Sequence, residues 1–541
     1  MSEAATYDYV IVGAGSSGAT LAARLSQNPR ITVLLLEAGQ PRQHDFWVRT
    51  PVGVAKLLLD PNYVWMSNTV EQQHLQGQSV FWPHGKLPGG SSSVNGMLYV
   101  RGEPAEYDRW GALGCSGWSF RDCLPYFKRM ESSLLGEADY RGRDGPISVT
   151  HLKERHRNPL TDAFVEACQT AGIPPTDDYN GAQYEGVAYL QLSTRNGRRC
   201  STAIGYLDDG VKRPNLDLQV QAHATRVLFT GRKAIGIEYL QGGATRVAHA
   251  RRMVVLSAGP IRSPQLLELS GVGQAARLQQ LGIPVVHDAP QVGENLRDHL
   301  QARITLRCTR SVTLNEILAS RWRTLAMGAG YLLTRRGFMS TPSCAAHALA
   351  RTRPEQNRPA VKIQLHFISG ASRYTSDERY GMDPFPGFSI GFFQLRPQSS
   401  GSLHAISTDP LAEPLIDPQY LASEHDRQQM LDALRLARKV MAQPAMRPWI
   451  ESETRPGLSV QDDDGLLDYI RQCGQTSWHP IGTCRMGGDR DSVVDPRLRV
   501  RGVEGLCVVD SSVMPTMPSS NTNAGSIMIG EKAADLLRTM H

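Results

Sequence analysis

The 541-residue chain has no CxxC pair, no run of basic residues and no stretch apolar enough to span a bilayer. Each absence excludes something. Nine cysteines, odd in number and loosely spaced from Cys115 to Cys507, speak against a disulfide framework and against a zinc site. No metal is expected, and the thiols are expected to be reduced in a cytosol-like compartment. A formal charge of +6 carried by scattered, mostly arginine side chains speaks against a nucleic-acid partner. A spanning helix needs about 20 consecutive apolar residues. The opening residues lack the basic segment and cleavage motif of a signal peptide and lead straight into a strand. A cytoplasmic protein is the expectation, with one segment able to make it peripheral to the inner membrane. Residues 315–338 set Trp322, Leu325, Met327, Tyr331 and Leu332 among Arg321, Arg323, Arg335 and Arg336. Such a stretch can lie on an anionic surface, although a helix packed on the protein body is the plainer reading.

What is present is an ordinary soluble composition, 41% hydrophobic and 20% charged. The length calls for two domains, interleaved along the chain. Tyr9, Val10, Ile11 and Val12 form an apolar, β-branched run read as a buried strand. Gly13, Gly15 and Gly18 follow, then residues 19–25 with helical periodicity, then a second buried strand over 31–36 that ends at Glu37. This is a dinucleotide fingerprint in its βαβ context. Gly13 permits the tight turn, Gly15 lets backbone approach a pyrophosphate, and Gly18 lets helix and strand pack closely. The helix N-terminus offers N–H groups and a positive dipole end to phosphates. Glu37 stands where a carboxylate accepts bonds from ribose hydroxyls and would repel a 2′-phosphate.

Residues 85–96 are a second Gly/Ser loop followed at once by apolar Met97, Leu98, Tyr99 and Val100. Small residues there suit close approach to a large flat ligand; a flexible linker is the alternative. Residues 216–220, 225–229, 234–239 and 253–256 read as strands, and 263–269 as a helix. From about 305 to 470, segments such as 362–368 and 388–395 read as strands of a more antiparallel sheet, with a helix over 424–441. The chain then returns through Val508, Val509 and Asp510. Near its end, Trp478, His479 and Pro480 begin a tight Pro/Gly-bounded loop. A neutral imidazole is the natural acceptor of an alcohol proton near pH 7, so a redox enzyme is suggested. A histidine bonded within its own turn is the bland alternative.

Together these segments resemble the glucose-methanol-choline (GMC) flavin oxidoreductases from end to end, with a lean toward the bacterial alcohol and choline dehydrogenase-like branch. The resemblance is carried by the fingerprint, residues 85–96, residues 259–273, the run Val292, Gly293, Glu294, Asn295 to His299, the His479 loop and Asn521, Thr522, Asn523 and Ala524. It implies an α/β fold: a Rossmann-type FAD-binding domain (1–155, 195–305 and 472–541) with an α+β substrate-binding domain built on an antiparallel sheet (156–194 and 306–471). The implied cofactor is FAD. Gly13, Gly15, Gly18 and Glu37 would hold its ADP half, the Val227 backbone would meet the adenine, and Gly90, Ser91 and Asn95 would line flavin and pyrophosphate. Asp510 and Asn523 would hold the ribityl and isoalloxazine side. Val94 stands where some members carry the histidine that bonds FAD covalently, so noncovalent FAD is expected. Pro88 and Gly525 depart from the usual pattern without removing a reactive group.

By the same resemblance His479 is the catalytic base, Asn521 holds the alcohol oxygen, and Trp478 walls the cavity. His299 would brace a loop, and His366 would face the cavity from the second domain. Cys484 is read as packing, and residues 489–491 as a solvated turn. The implied reaction oxidises a primary alcohol to the aldehyde, the electrons passing on to a quinone-like carrier or dioxygen. Choline is not favoured, since neither an aromatic cage nor a carboxylate for it can be located. A flavin-containing hydroxynitrile lyase and a flavin-binding module without catalysis remain as rivals.

Overall fold

A computed structural model describes residues 5–208, 213–370 and 381–540; the first four residues of the strand lead-in lie outside these. In chain order the elements that position the site are β1 (Ala5–Val12), α1 (Ser16–Leu25), β2 (Val33–Leu36), β3 (Gly186–Tyr189), β4 (Leu216–Gln219), β5 (Ala222–Thr230), β6 (Lys233–Gln241), β7 (Ala244–Leu256), α2 (Gly259–Leu269), β8 (Leu300–Cys308), α3 (Arg321–Thr334), β9 (Cys344–Ala350), β10 (Val361–His366), β11 (Gly387–Gln394), α4 (Glu424–Met441), β12 (Ile450–Arg455), β13 (Gln475–Thr476), β14 (Leu506–Val508) and α5 (Asn523–Arg538).

Two seven-stranded sheets result. The first runs β4-β2-β1-β7-β6-β5, with β14 paired to β7. β4, β2, β1, β7 and β14 are mutually parallel, and β5 and β6 add antiparallel edges. Tyr9, Val10, Ile11 and the residues of β2 are buried on both faces, which is why they read as unbroken apolar runs. The C-terminal return supplies α5, which lies against α1 closely enough that a Cβ on Gly530 would stand 2.6 Å from the Ser17 carbonyl oxygen.

The second sheet runs β12-β8-β11-β10-β9-β3, antiparallel throughout, with β13 on β8. Val361, Ile363 and Leu365 of β10 enter a core with Met430 and Leu434 of α4. The alternate residues Lys362, Gln364 and His366 face the other way, toward a cavity between the sheets. The expected domain boundary at 305 falls inside β8, all of which belongs to this second sheet.

α3 packs on the protein body by one side, through Tyr331 and Met327. Only Tyr331 of the helix is buried, tied by its hydroxyl to the Gly197 carbonyl at 2.9 Å. Trp322, Leu325, Leu332 and Leu333 are exposed, Trp322 by 82% and Leu333 by 85%. With Ala326 and Ala329 they recur at helical spacing along one outward stripe. Nothing among the described residues covers it. No helix among the described residues is long and apolar enough to cross a membrane.

Candidate active site

One cavity joins the C-terminal ends of the parallel strands to the polar face of the second sheet, where the topology of such sheets places ligands. At its first end Gly13 adopts φ +96°, and a Cβ there would lie 2.4 Å from the Ser257 carbonyl oxygen. Gly15 caps α1 without any side-chain cap bond, which leaves the first N–H groups of the helix facing the cavity. Gly90, on the second Gly/Ser loop, comes so close that its Cβ would stand 2.8 Å from Gly15 Cα. Glu37 directly follows β2 and is buried. It accepts the Ala14 N–H at 3.1 Å and the Gly39 N–H at 2.8 Å, and a carboxylate has lone pairs to spare for hydroxyl donors. Burial raises its pKa. This backbone-lined cradle and its buried carboxylate fit the ADP half of a dinucleotide.

Farther along, Ser91, Val94, Asn95, Asp510 and Asn523 line the wall. Asn95 Oδ1 accepts from Arg199 Nη1 at 2.8 Å. Asp510 accepts from the Gly259 N–H at 2.9 Å and from Ser263 Oγ at 2.6 Å, and so ties the start of α2 to the cavity. Asn523 Oδ1 accepts from Ser16 Oγ at 2.7 Å. Val94 is aliphatic and buried. Gly18 lies behind the wall, where a Cβ would meet the Gly13 carbonyl oxygen at 1.9 Å; its place is the helix–strand packing read from the fingerprint. Val227 lies on β5. It is not on the wall, and its N–H donates to Ser270 Oγ at 2.8 Å. The part of β5 that reaches the cavity is Ala222, His223 and Ala224, at the start of the strand.

At the other end His479 is held from three sides, not within its own turn. Asp298 Oδ1 accepts its backbone N–H at 2.8 Å, and Asp298 Oδ2 accepts from Thr476 Oγ1 at 2.6 Å and from the Tyr420 hydroxyl. The ring follows from donor logic. His299 Nε2 lies 3.0 Å from the Leu395 carbonyl oxygen, which can only accept. His299 Nε2 therefore carries the proton, and its neutral Nδ1 is a lone pair. His479 Nδ1, 3.0 Å away, must donate to it, which leaves His479 Nε2 as an acceptor. Asn521 Nδ2 donates to that Nε2 at 2.9 Å. The amide is oriented in turn by Lys362, whose Nζ donates to Asn521 Oδ1 at 2.9 Å. Burial first, then the proximity of His299 and Lys362, hold the His479 pKa well below 6.5. The result is a neutral imidazole whose basic nitrogen faces the cavity.

The sequence placed His479, Asn521 and His366 at this end. It gave His299 to loop bracing, a task Asp298 shares; His299 also sets the His479 tautomer. It missed Lys362, Gln301, Arg303 and Gln364, all on the cavity wall. The signal was there: Lys362, Gln364 and His366 alternate along an otherwise apolar strand. Cys484 is buried, and burial raises its thiol pKa far above 9. Asp489 pairs with Arg485 at 2.9 Å on an exposed turn.

Desolvated histidines make stability acid-sensitive. Loss of water around the ring lowers the pKa of His84, His156, His299, His347, His366 and His479. Below pH 6.5 the unfolded chain takes up protons that the folded one refuses, so stability falls with pH by up to ~1.4 kcal/mol per unit for each such group. Asp298, raised to about 6 by burial, opposes this, as do Glu37 and Asp510, also raised by burial; the histidines outnumber these carboxylates. Thermal melts between pH 7.5 and 5 are expected to show a steady drop in melting temperature.

A dinucleotide cradle opening onto a neutral imidazole defines a nucleotide-cofactor-dependent oxidoreductase. Residues 7–301 match the N-terminal and residues 397–530 the C-terminal family model of the GMC oxidoreductases. The oxygen-dependent choline dehydrogenase of Pseudomonas putida is 44% identical over 537 residues, 98% of this chain and 94% of the relative. That of Photobacterium profundum is 41% identical over 534 residues, 98% and 93% of the two chains. Among solved structures, pyridoxine 4-oxidase from Mesorbium loti superposes with a TM-score of 0.89 at 29% identity, covering 99% of this chain and 100% of that one. The chain belongs to the GMC oxidoreductase family and is an FAD-dependent enzyme acting on CH–OH groups.

Proposed function

We propose that the enzyme oxidises a primary alcohol to the aldehyde, with His479 as base, Asn521 as the group that holds the alcohol oxygen, and FAD bound without a covalent link. The observation that carries this reading is the His479 Nε2 lone pair, fixed by His299 and aimed at the Asn521 amide inside the cavity. An alcohol entering between them donates its O–H to Nε2 and accepts the Asn521 N–H that Nε2 gives up. His479 then takes the hydroxyl proton, and the imidazolium keeps its Nδ1–H bond to His299. General bases of this kind contribute about 10²–10⁴-fold in rate, and positioning of the C–H bond adds to it. Bound FAD supplies the hydride acceptor. Val94, which cannot form a bond to the cofactor, supports noncovalent attachment.

The residues proposed for FAD are Gly13, Gly15, Gly18, Glu37, Gly90, Ser91, Val94, Asn95, Asp510 and Asn523. The second sheet is proposed to bind the substrate. The acceptor is proposed to be a quinone-like carrier or dioxygen, and parallel assays with a quinone-like dye and with oxygen distinguish the two. Anaerobic addition of an alcohol tests the reaction: the flavin absorbance should bleach. Cyanide release from a hydroxynitrile without bleaching would instead indicate a lyase.

Peripheral contact with an anionic membrane is proposed for α3. Its apolar stripe carries Arg321 and Arg323 at one end and Arg335 at the other, with no acidic residue in the helix. Each basic residue near such a surface contributes about 1 kcal/mol. The protein is expected to sediment with phosphatidylglycerol vesicles and not with phosphatidylcholine vesicles. The double variant Trp322→Asp/Leu333→Asp should stay in the supernatant with both.

A further inference from the structure

We infer that the substrate carries a carboxylate a few carbons from its hydroxyl, and that Lys362 holds this carboxylate on the polar face of the second sheet. The inference rests on the alcohol oxidation proposed for the same cavity. Pairing register places three strands side by side. Lys362 of β10 pairs with Phe393 of β11, and Arg303 of β8 and Gln364 of β10 flank Gly391 of β11. Gly391 leaves a hollow in the middle of the face. A Cβ there would come within 2.7 Å of Gln301 Nε2 and 2.9 Å of His366 Nε2, so nitrogen-bearing side chains lean over it from both sides. Arg303 adds its positive field at the same rim.

Lys362 is 1% exposed. Its Nζ spends one donor on Asn521 Oδ1, and an ammonium has three. Among the described residues no carboxylate pairs with it. The two carboxylates on the cavity wall, Glu37 and Asp510, belong to the FAD end and are tied to backbone there. A buried ammonium without a counter-ion is unfavourable, and burial has pushed this one down to about 7. An anion arriving beside it restores both the charge and the partner.

The Asn521 amide bridges Lys362 and His479, so one amide and two hydrogen bonds separate the ammonium from the basic nitrogen. That span suits a short hydroxy acid. Its hydroxyl proton passes to His479, its C–H hydride to the bound flavin, the C=O bond forms, and the carboxylate is unchanged. A quaternary ammonium alcohol would set like charges against Lys362 and Arg303 in the same space.

The test uses the FAD-loaded enzyme. Anaerobic flavin reduction is followed with a series from glycolate to 5-hydroxypentanoate, with the matching neutral hydroxyamides and with choline, and propanoate binding is measured by calorimetry. The best acid is expected to exceed its amide in kcat/KM by roughly 100-fold. Lys362→Gln, which keeps an N–H for Asn521, should bring that ratio near one and weaken propanoate binding at least about 10-fold, while Lys362→Arg should preserve both. Amides or choline reducing the flavin as well as the acids, or propanoate binding equally to Lys362→Gln, overturns the inference and leaves the alcohol oxidation standing. Lys362-dependent propanoate binding with no bleaching by any alcohol keeps the anion site and removes the proposed oxidation.

Discussion

Replacing His479 by alanine will slow anaerobic flavin reduction by about 10³-fold or more while FAD stays bound. The two halves of this expectation come from different parts of the cavity. His479 is held by Asp298, His299 and Asn521, none of which belongs to the Gly13–Glu37–Gly90 cradle. Its loss removes the nitrogen that both faces the Asn521 amide and is held as an acceptor by its neighbours. His366 cannot inherit the task. Its Nε2 lies 3.4 Å from Gln364 Nε2 on the far side of Lys362, and burial with the nearby Arg303 and Lys362 depresses its pKa as well. Stopped-flow bleaching gives the rate, and the protein's visible absorbance reports the retained cofactor. A His479→Ala variant that lost its colour, or one that reduced flavin at the parent rate, would remove the base from the proposal.

Gly90→Ala should do the reverse and cost the cofactor. Gly90 sits at φ +50°, and its Cβ would press to 2.8 Å from Gly15 Cα. The left-handed conformation costs an alanine roughly 1–2 kcal/mol. The overlap adds about 1–3 kcal/mol unless the two glycine loops spread, and spreading breaks the cradle. A penalty of ~3 kcal/mol corresponds to roughly 100-fold in Kd. The variant is expected to purify largely colourless and to need that much more free FAD to regain its absorbance. His479 and its partners are untouched, so the reloaded variant should reduce at close to the parent rate. Flavin titration followed by absorbance checks the first point, and anaerobic reduction after saturation checks the second.

What the sequence revealed and what it hid divide along chain distance. Gly13, Gly15, Gly18 and Glu37 were legible because strand, turn and helix are contiguous, so each glycine's task follows from its neighbours. The helix over 424–441 was legible for the same reason. His479 and Asn521 were legible through a pattern shared across the GMC family. The hold of His299 on the His479 tautomer was hidden because it is exerted on a ring 180 positions away, and only the folded sheet brings the two together. Lys362 went unread because its neighbours in sequence point into the opposite core. Val227 lies farther along β5 than Ala222, His223 and Ala224, the residues of that strand that line the cavity. The stripe on α3 was visible as periodicity, but periodicity does not say what covers an apolar face.

The chain of bonds from the Leu395 carbonyl through His299, His479 and Asn521 to Lys362 crosses between the two sheets twice. His299 immediately precedes β8 and Lys362 lies on β10, while His479 and Asn521 lie on loops that close over the parallel sheet. Chimaeras that graft a foreign pocket onto this cofactor-binding half therefore inherit a hidden constraint. Positions 299 and 362 must travel with the recipient, or the transplanted pocket will admit its new alcohol beside a histidine in the wrong tautomer.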